Sequence, residues 1–284
     1  MASASIQRAD LVSVVVSSWT DRHRLLRQYA DPGNLVTRVG VYEYLVPDQD
    51  IGSRTFEEWV LDHLRWAGSE AVIDVGRGGG AYEPALRRRA GRLVGLDLSM
   101  GMLRSASRNP AALVVGDAQH LPVGDETFDV GLAAHMLYHV PDIDRALREL
   151  RRAVRPGGAA LLVANGSGDK QEIRDLWQEA ALAVAGSSFS LPAWTRRFSV
   201  DAGLEVVEHT FSDIRVDTLT GRFWFSTPDP VMAWVNSLRA GTEDDIDSEA
   251  WNAVATDLRI RIEQRIDRLG QFVVRKVSGV VIAR

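Results

Sequence analysis

VIDVGRGGGAY, residues 72–82, is an apolar run carrying one acidic residue, Asp74, that breaks into Gly76, Gly78, Gly79 and Gly80 before a helical pattern begins. The run Ala71–Val75 has the length and bounding glycine of a short strand buried on both faces. Glycines directly behind it let the backbone turn sharply and approach a ligand at the strand's carboxyl end. A tight turn without a ligand would read the same way, so the segment gains meaning from its neighbours.

The next apolar run, RLVGLDLS, ends in Asp97, where an acidic side chain can accept both hydroxyls of a ribose. Gly76, Gly78 and Ala81 also satisfy the G-x-G-x-x-G/A fingerprint, with Asp97 at about the expected separation of ~20 residues. A nicotinamide dinucleotide and S-adenosylmethionine both fit that pattern. Asp74 separates them. A carboxylate two residues before the first glycine would repel a pyrophosphate and attract an ammonium. S-adenosylmethionine carries an α-ammonium and a sulfonium and no phosphate. Capping a loop or helix by accepting backbone N–H bonds is a second role open to Asp74.

A third signal is GDAQHLPVGDETFDVGLAA, residues 116–134, where an apolar run ends in Gly116-Asp117-Ala118. A carboxylate accepting from an adenine amino group, next to a backbone N–H meeting a ring nitrogen, would define an adenine edge at Asp117. By itself Asp117 reads as a turn residue. Strand-length apolar runs recur at 71–75, 92–96, 112–115, 128–133 and 159–164. Helical patterns fill the gaps. In the clearest, Ile143, Ala146, Leu147 and Leu150 share a face of a helix begun by Pro141-Asp142 and stopped by Pro156-Gly157-Gly158. This alternation predicts a parallel sheet with right-handed crossovers.

Beyond residue 165 helical stretches are expected at 169–186, 229–239 and 248–268, the last with Trp251, Val254, Leu258, Ile262 and Ile266 on one stripe. Two β-rich runs, 204–216 and 272–282, would complete the sheet as an antiparallel pair at one edge. Residues 1–68, with Tyr29, Asn34, Arg38 and Tyr42 and the amphipathic stretch 56–64, read as a helical cap. Residues 69–284 read as the α/β core, with cap insertions at about 166–200 and 221–268.

Composition excludes several classes. With 284 residues, 45% hydrophobic and 25% charged, the chain suits one large α/β domain with a cap. A net charge of −5 provides no broad basic field, so nucleic acid is not expected as a partner. The absence of cysteine removes disulfides, thiolate metal sites and a cysteine nucleophile, and fits a cytoplasmic protein. The apolar run 11–16 is too short to span a bilayer, so no membrane is expected either.

Taken together, these motifs resemble the class I S-adenosylmethionine-dependent methyltransferases over about residues 70–165. The terminal stretches YADPGNLVTRVGVYEYL and FVVRKVSGVVIAR are similar to actinobacterial small-molecule members of that group. The resemblance implies a Rossmann-like, seven-stranded, mostly parallel sheet with an antiparallel last strand. It also implies contacts from Asp74 and Gly76 to the methionine part, Asp97 to the ribose, Met100 to the adenine face, and Asp117 with Ala118 to the adenine edge. Gly78, Gly80, Leu98 and Ala133 complete the expected cofactor set. Arg77 departs from the small residues or cysteine frequent in its slot, which need not stop binding, since its side chain can point outward.

Methyl transfer from a sulfonium is an in-line displacement and draws much of its rate from alignment. If the acceptor needs a base, AAHMLYHVPD after the fourth strand provides His135, with Tyr138 as a pocket-lining residue. His135 and His139 are four apart and would share a helical face at metal-ligand spacing, but no third ligand is suggested and no metal is expected. The aromatic run Phe223-Trp224-Phe225 would wall an apolar acceptor site. The expected function is methyl transfer to oxygen, nitrogen or carbon of a small organic molecule, such as a specialised metabolite. The alternatives are a cyclase-like or non-methylating S-adenosylmethionine binder and a nicotinamide-dependent oxidoreductase. The N-terminal helices would serve as a lid or as a homodimer contact.

Overall fold

The structure, a computed structural model, describes residues 20–30, 32–104, 112–186, 190–191, 194–242 and 246–284. The apolar run 11–16 lies outside them.

At the amino end, Asp21 caps α1 (Arg22–Gln28) by accepting from the backbone N–H of Arg24 at 2.9 Å. It is followed by α2 (Gly33–Gly40), a 3₁₀ turn (Val41–Tyr44), the three-residue β1 (Leu45–Pro47) and α3 (Phe56–Leu61). A reciprocal capping box between Thr55 and Glu58 starts α3. Then come β2 (Ala71–Val75), α4 (Glu83–Arg87), β3 (Arg92–Asp97), α5 (Met100–Arg104), β4 (Ala112–Val115) and β5 (Phe128–Ala134). The chain continues through α6 (Ile143–Ala153), β6 (Val154–Asn165), α7 (Gln171–Ala185) and α8 (Leu204–Glu208). It closes with β7 (Ile214–Phe225), α9 (Asp229–Asn236), α10 (Ser248–Leu269) and β8 (Phe272–Ala283).

The strands form one sheet in the order β1-β7-β8-β6-β5-β2-β3-β4. Neighbours from β6 through β4 are parallel, whereas β8 runs antiparallel to both β6 and β7. The apolar continuity of β2 follows from burial on both faces. Successive side chains point to opposite sides, so Ile73 and Val75 join the core beneath α6 while Val72 joins the core beneath α3 and α4. The strand order reverses between β2 and β5, where a ligand crevice opens at the carboxyl ends of an α/β sheet.

Three expectations change. The amino-terminal cap is not purely helical, because β1 pairs antiparallel with β7 and adds an eighth strand at the edge. The expected strand 204–216 is instead the short helix α8 followed by β7, which starts at Ile214. Val207 and Phe211 pack into the core from the helical arrangement, and a run that short is consistent with either period. The second cap insertion therefore begins after Phe225 rather than at residue 221. In β7 the rings of Phe223 and Phe225 enter a separate core built by α7, α9 and α10, while Trp224 lies on the opposite face and is half-exposed. Trp177 and Trp251 meet in that core with ring centroids 4.7 Å apart. No described helix is long and apolar enough to cross a membrane.

Candidate functional site

A single cavity of about 1050 Å³ spans the carboxyl ends of β2 to β6 and is roofed by the segment from residue 20 to 57. The roof is pinned at several points. The Ser99 hydroxyl donates to the Tyr29 carbonyl at 2.7 Å, Gln28 Nε2 donates to the Ser237 carbonyl at 3.2 Å, and the Tyr29 hydroxyl meets His139 Nε2 at 2.9 Å. Gly101 lets the roof come close, since a Cβ there would lie 1.9 Å from the Ala30 carbonyl oxygen.

Three carboxylates at three successive strand ends line this cavity, Asp74, Asp97 and Asp117. Asp74 is buried and has no hydrogen-bond partner among the described residues. Burial pushes its carboxyl up to about 7, against the opposing pull of the Arg77 guanidinium. Asp97 accepts from the backbone N–H of Gly78 at 2.7 Å and of Ser99 at 2.8 Å, one on each oxygen, so its outer lone pairs remain available. Burial raises its pKa and those two N–H bonds oppose the rise. Asp117 shapes the loop after β4 by accepting from the Gln119 backbone N–H at 2.9 Å.

The glycine loop has the backbone its sequence requires. Gly76, Gly78 and Gly80 all have positive φ, and a Cβ on Gly76 would lie 2.6 Å from Met136 Cγ. That contact joins the loop after β2 to the loop after β5 at the point where strand order reverses.

Arg77 does not point outward. It is buried and ion-paired to Glu83, which also binds Arg87. Its side chain threads between two glycines: a Cβ on Gly80 or on Gly95 would lie 2.3 Å from it. Gly80 thus accommodates Arg77 and does not line the cavity, and neither does Ala133, which is buried in β5, whereas Ala134 does. Met100 is half-exposed on α5, and Met102, two residues on, is buried against the cavity. Gly76, Gly78, Leu98 and Ala118 also line it.

After β5, His135 and Tyr138 line the cavity. His135 and His139 share no α-helical face: β5 ends just before His135, which has φ 53°, and Leu137–His139 is a 3₁₀ turn. The His135 N–H donates to the Val163 carbonyl at 2.8 Å, which holds that left-handed backbone in place. Burial, reinforced by Lys276, lowers its imidazole to about 3, so the ring is neutral and a weak base. Burial raises the Tyr138 phenol, which is therefore also neutral. Phe223 and Trp224 do not line the cavity, because β7 carries them into the separate core and to the surface.

Sequence reasoning placed Tyr42 in the cap without a role at the cavity and missed the loop NGSGDK after β6, which brings Asn165, Asp169 and Lys170 to the cavity. Glycines and charges directly behind an apolar strand were the available signal.

Residues 73–162 match the family described as "Methyltransferase domain". Over 100 residues it is 40% identical to demethylmenaquinone methyltransferase of Thermobifida fusca, covering 33% of this chain and 42% of that protein. Over 153 residues it is 31% identical to malonyl-[acyl-carrier protein] O-methyltransferase of Pseudescherichia vulneris, covering 50% of this chain and 59% of that one. The chain thus spans about half the length of the curated relatives it matches. In fold, the chain is similar to phosphoethanolamine N-methyltransferase 2 of Haemonchus contortus, solved with S-adenosylhomocysteine. That match has a TM-score of 0.51 and 17% identity over 99% of this chain and 60% of the other. A Bacillus halodurans protein assigned to the methyltransferases gives a TM-score of 0.53 at 19% identity, covering 81% of this chain and 98% of that one.

Proposed function

We propose that this protein transfers a methyl group from S-adenosylmethionine to a small organic acceptor held in the same cavity. The observation that carries the reading is Asp74, a buried carboxylate that has no hydrogen-bond partner among the described residues and lines the cavity beside the glycine loop. A site so built favours a cationic group and disfavours a pyrophosphate. Asp74 and Gly76 would hold the methionine portion, Asp97 the ribose hydroxyls, and Asp117 with Ala118 the adenine edge. Met102 would take the adenine face in place of Met100. A volume of about 1050 Å³ lies at the top of the range of single-ligand pockets, roughly 300–1,000 Å³, and so leaves room for a second molecule.

When bound, S-adenosylmethionine supplies an electrophilic methyl carbon on its sulfonium. The chain's own contribution is to bind and align. The roof residues Leu25, Tyr29, Leu35 and Phe56, each partly buried, lie over the strand ends and would restrict the approach of an acceptor. His135 is a neutral hydrogen-bonding group rather than a general base, so the site suits an acceptor atom that does not depend on this imidazole to lose a proton.

Calorimetric titration with S-adenosylmethionine, S-adenosylhomocysteine and NADH, repeated on Asp97→Ala, tests the reading. The first two are expected to bind and to weaken at least ten-fold in the variant. Binding of NADH alone, or of none of the three, would overturn it.

A further inference from the structure

A second charged cluster reaches the cavity. Where β6, β8 and the first turn of α7 meet lie Asp169, Lys170, Arg174 and Lys276, all buried; the partly buried Glu57 also lines the cavity and acts on Tyr42. Asp169, Lys170 and Arg174 line the cavity, and Lys276 stands behind them. Three cations face one carboxylate. Asp169 accepts from Lys170 Nζ at 2.8 Å and lies 3.3 Å from Lys276 Nζ. Although burial pushes the Asp169 carboxyl up, the two lysines hold it down at about 2.

The donors are not all taken up. Lys276 Nζ donates to Asn165 Oδ1 at 2.7 Å and to Ser278. Lys170 Nζ has Asp169 as its hydrogen-bond partner and otherwise faces the rings of Phe223, Tyr42 and Trp234, with centroids at 5.1, 5.6 and 5.8 Å. Arg174, 8% exposed, donates to the Asp169 carbonyl oxygen, and its Nε has no partner among the described residues. Of the other charges near Arg174, Asp175 is exposed and accepts from Gln171, while Arg196 adds further positive charge. Lys170 is also the residue that begins the 15-residue α7, whose amino end adds partial positive charge to the same corner, and it has a left-handed backbone, φ 55°.

Buried cations in excess of their counter-charge are costly unless something else supplies it. We propose that this corner binds the acid group of the acceptor, a carboxylate or phosphoryl oxyanion on an otherwise apolar body, with Lys170 and Arg174 as the direct donors. Leu25, Leu35, Val39 and Leu45 on the roof provide the apolar wall for the rest of the molecule. The identification of the anion as the methyl acceptor rests on the methyl-transfer reading; its binding here does not.

The test is calorimetric titration of the whole protein with octanoate, octyl phosphate and octanamide, alone and with saturating S-adenosylhomocysteine. At least one acid is expected to bind ten-fold or more tightly than the amide, and the stronger of the two identifies the oxyanion. Arg174→Gln, which leaves the Asp169 ion pairs with Lys170 and Lys276 in place, is expected to weaken the acid at least ten-fold and leave S-adenosylhomocysteine within two-fold. Arg174→Lys is expected to recover most of the loss. Acids that bind no better than the amide, or not at all, would overturn the proposal, as would undiminished acid binding by Arg174→Gln. Acid binding without S-adenosylhomocysteine binding would sustain the anion corner and sink the methyl-transfer reading alone.

Discussion

Replacing Asp74 by Asn is expected to change the pH dependence of both stability and cofactor affinity. The carboxyl moves from 3.8 in the unfolded chain to about 7 in the fold, chiefly because burial penalises its charge. At about 1.4 kcal/mol per pKa unit, ionising it inside the ligand-free protein costs about 4 kcal/mol. The folded state binds the proton more tightly than the unfolded state. Stability is therefore full below about pH 4, falls by about 1.4 kcal/mol per pH unit, and is lost up to about 7. Asn cannot ionise, so Asp74→Asn should equal the natural protein in the acid and exceed it by about 4 kcal/mol at about pH 8. Urea unfolding of both proteins without ligand, at several pH values between about 5 and 8, reports on this group and on its coupling to Asp97, since titrations of groups distant from Asp74 cancel in the difference. A gap that changes by less than about 1 kcal/mol across that range would refute the reasoning. The same carboxylate must be ionised to receive an ammonium. S-adenosylmethionine affinity is thus expected to drop about ten-fold per pH unit below about 7 in the natural protein and to be weak and flat in the variant.

Other perturbations test separate parts of the site. Arg77→Met leaves the buried Glu83 carboxylate with Arg87 as its one remaining cation and should cost up to about 3–5 kcal/mol in urea unfolding, with Arg77→Met/Glu83→Gln losing clearly less than the sum of the single changes. Gly76→Ala meets both the φ of 68° and Met136 and should cost about 1–3 kcal/mol and at least ten-fold in cofactor affinity; an unchanged titration would refute that. With its imidazole at about 3, His135 should contribute no inflection to a methyl-transfer pH–rate profile between about pH 5 and 9, and His135→Gln should keep the profile's shape; loss of an inflection there would restore His135 as a base.

The local code of this chain is complete for the β2 to β6 core. Apolar runs of strand length, glycines where φ must be positive, and acids at strand ends are requirements of backbone and ligand geometry, and they are met within a few residues of each other. Asp74, Gly76, Asp97 and Asp117 were therefore legible from sequence, as were the helices at 171–185 and 248–269. What lay beyond reach depended on partners distant in the chain. Arg77 turns inward because Gly80, Gly95 and Glu83 make a slot for it, and no local pattern announces a slot whose second wall lies 18 residues away. The side-chain alternation of β7 sends Phe223 and Phe225 into a core that exists only once α7, α9 and α10 have docked, so an aromatic run that looked like a pocket wall is packing. The excess of positive charge around Asp169 assembles from a loop after β6, the first turn of α7 and a lysine more than 100 residues later on β8. Sequence sets which residues carry charge and where the backbone can turn; only the fold decides which charges are brought together away from water, and that proximity governs their energies.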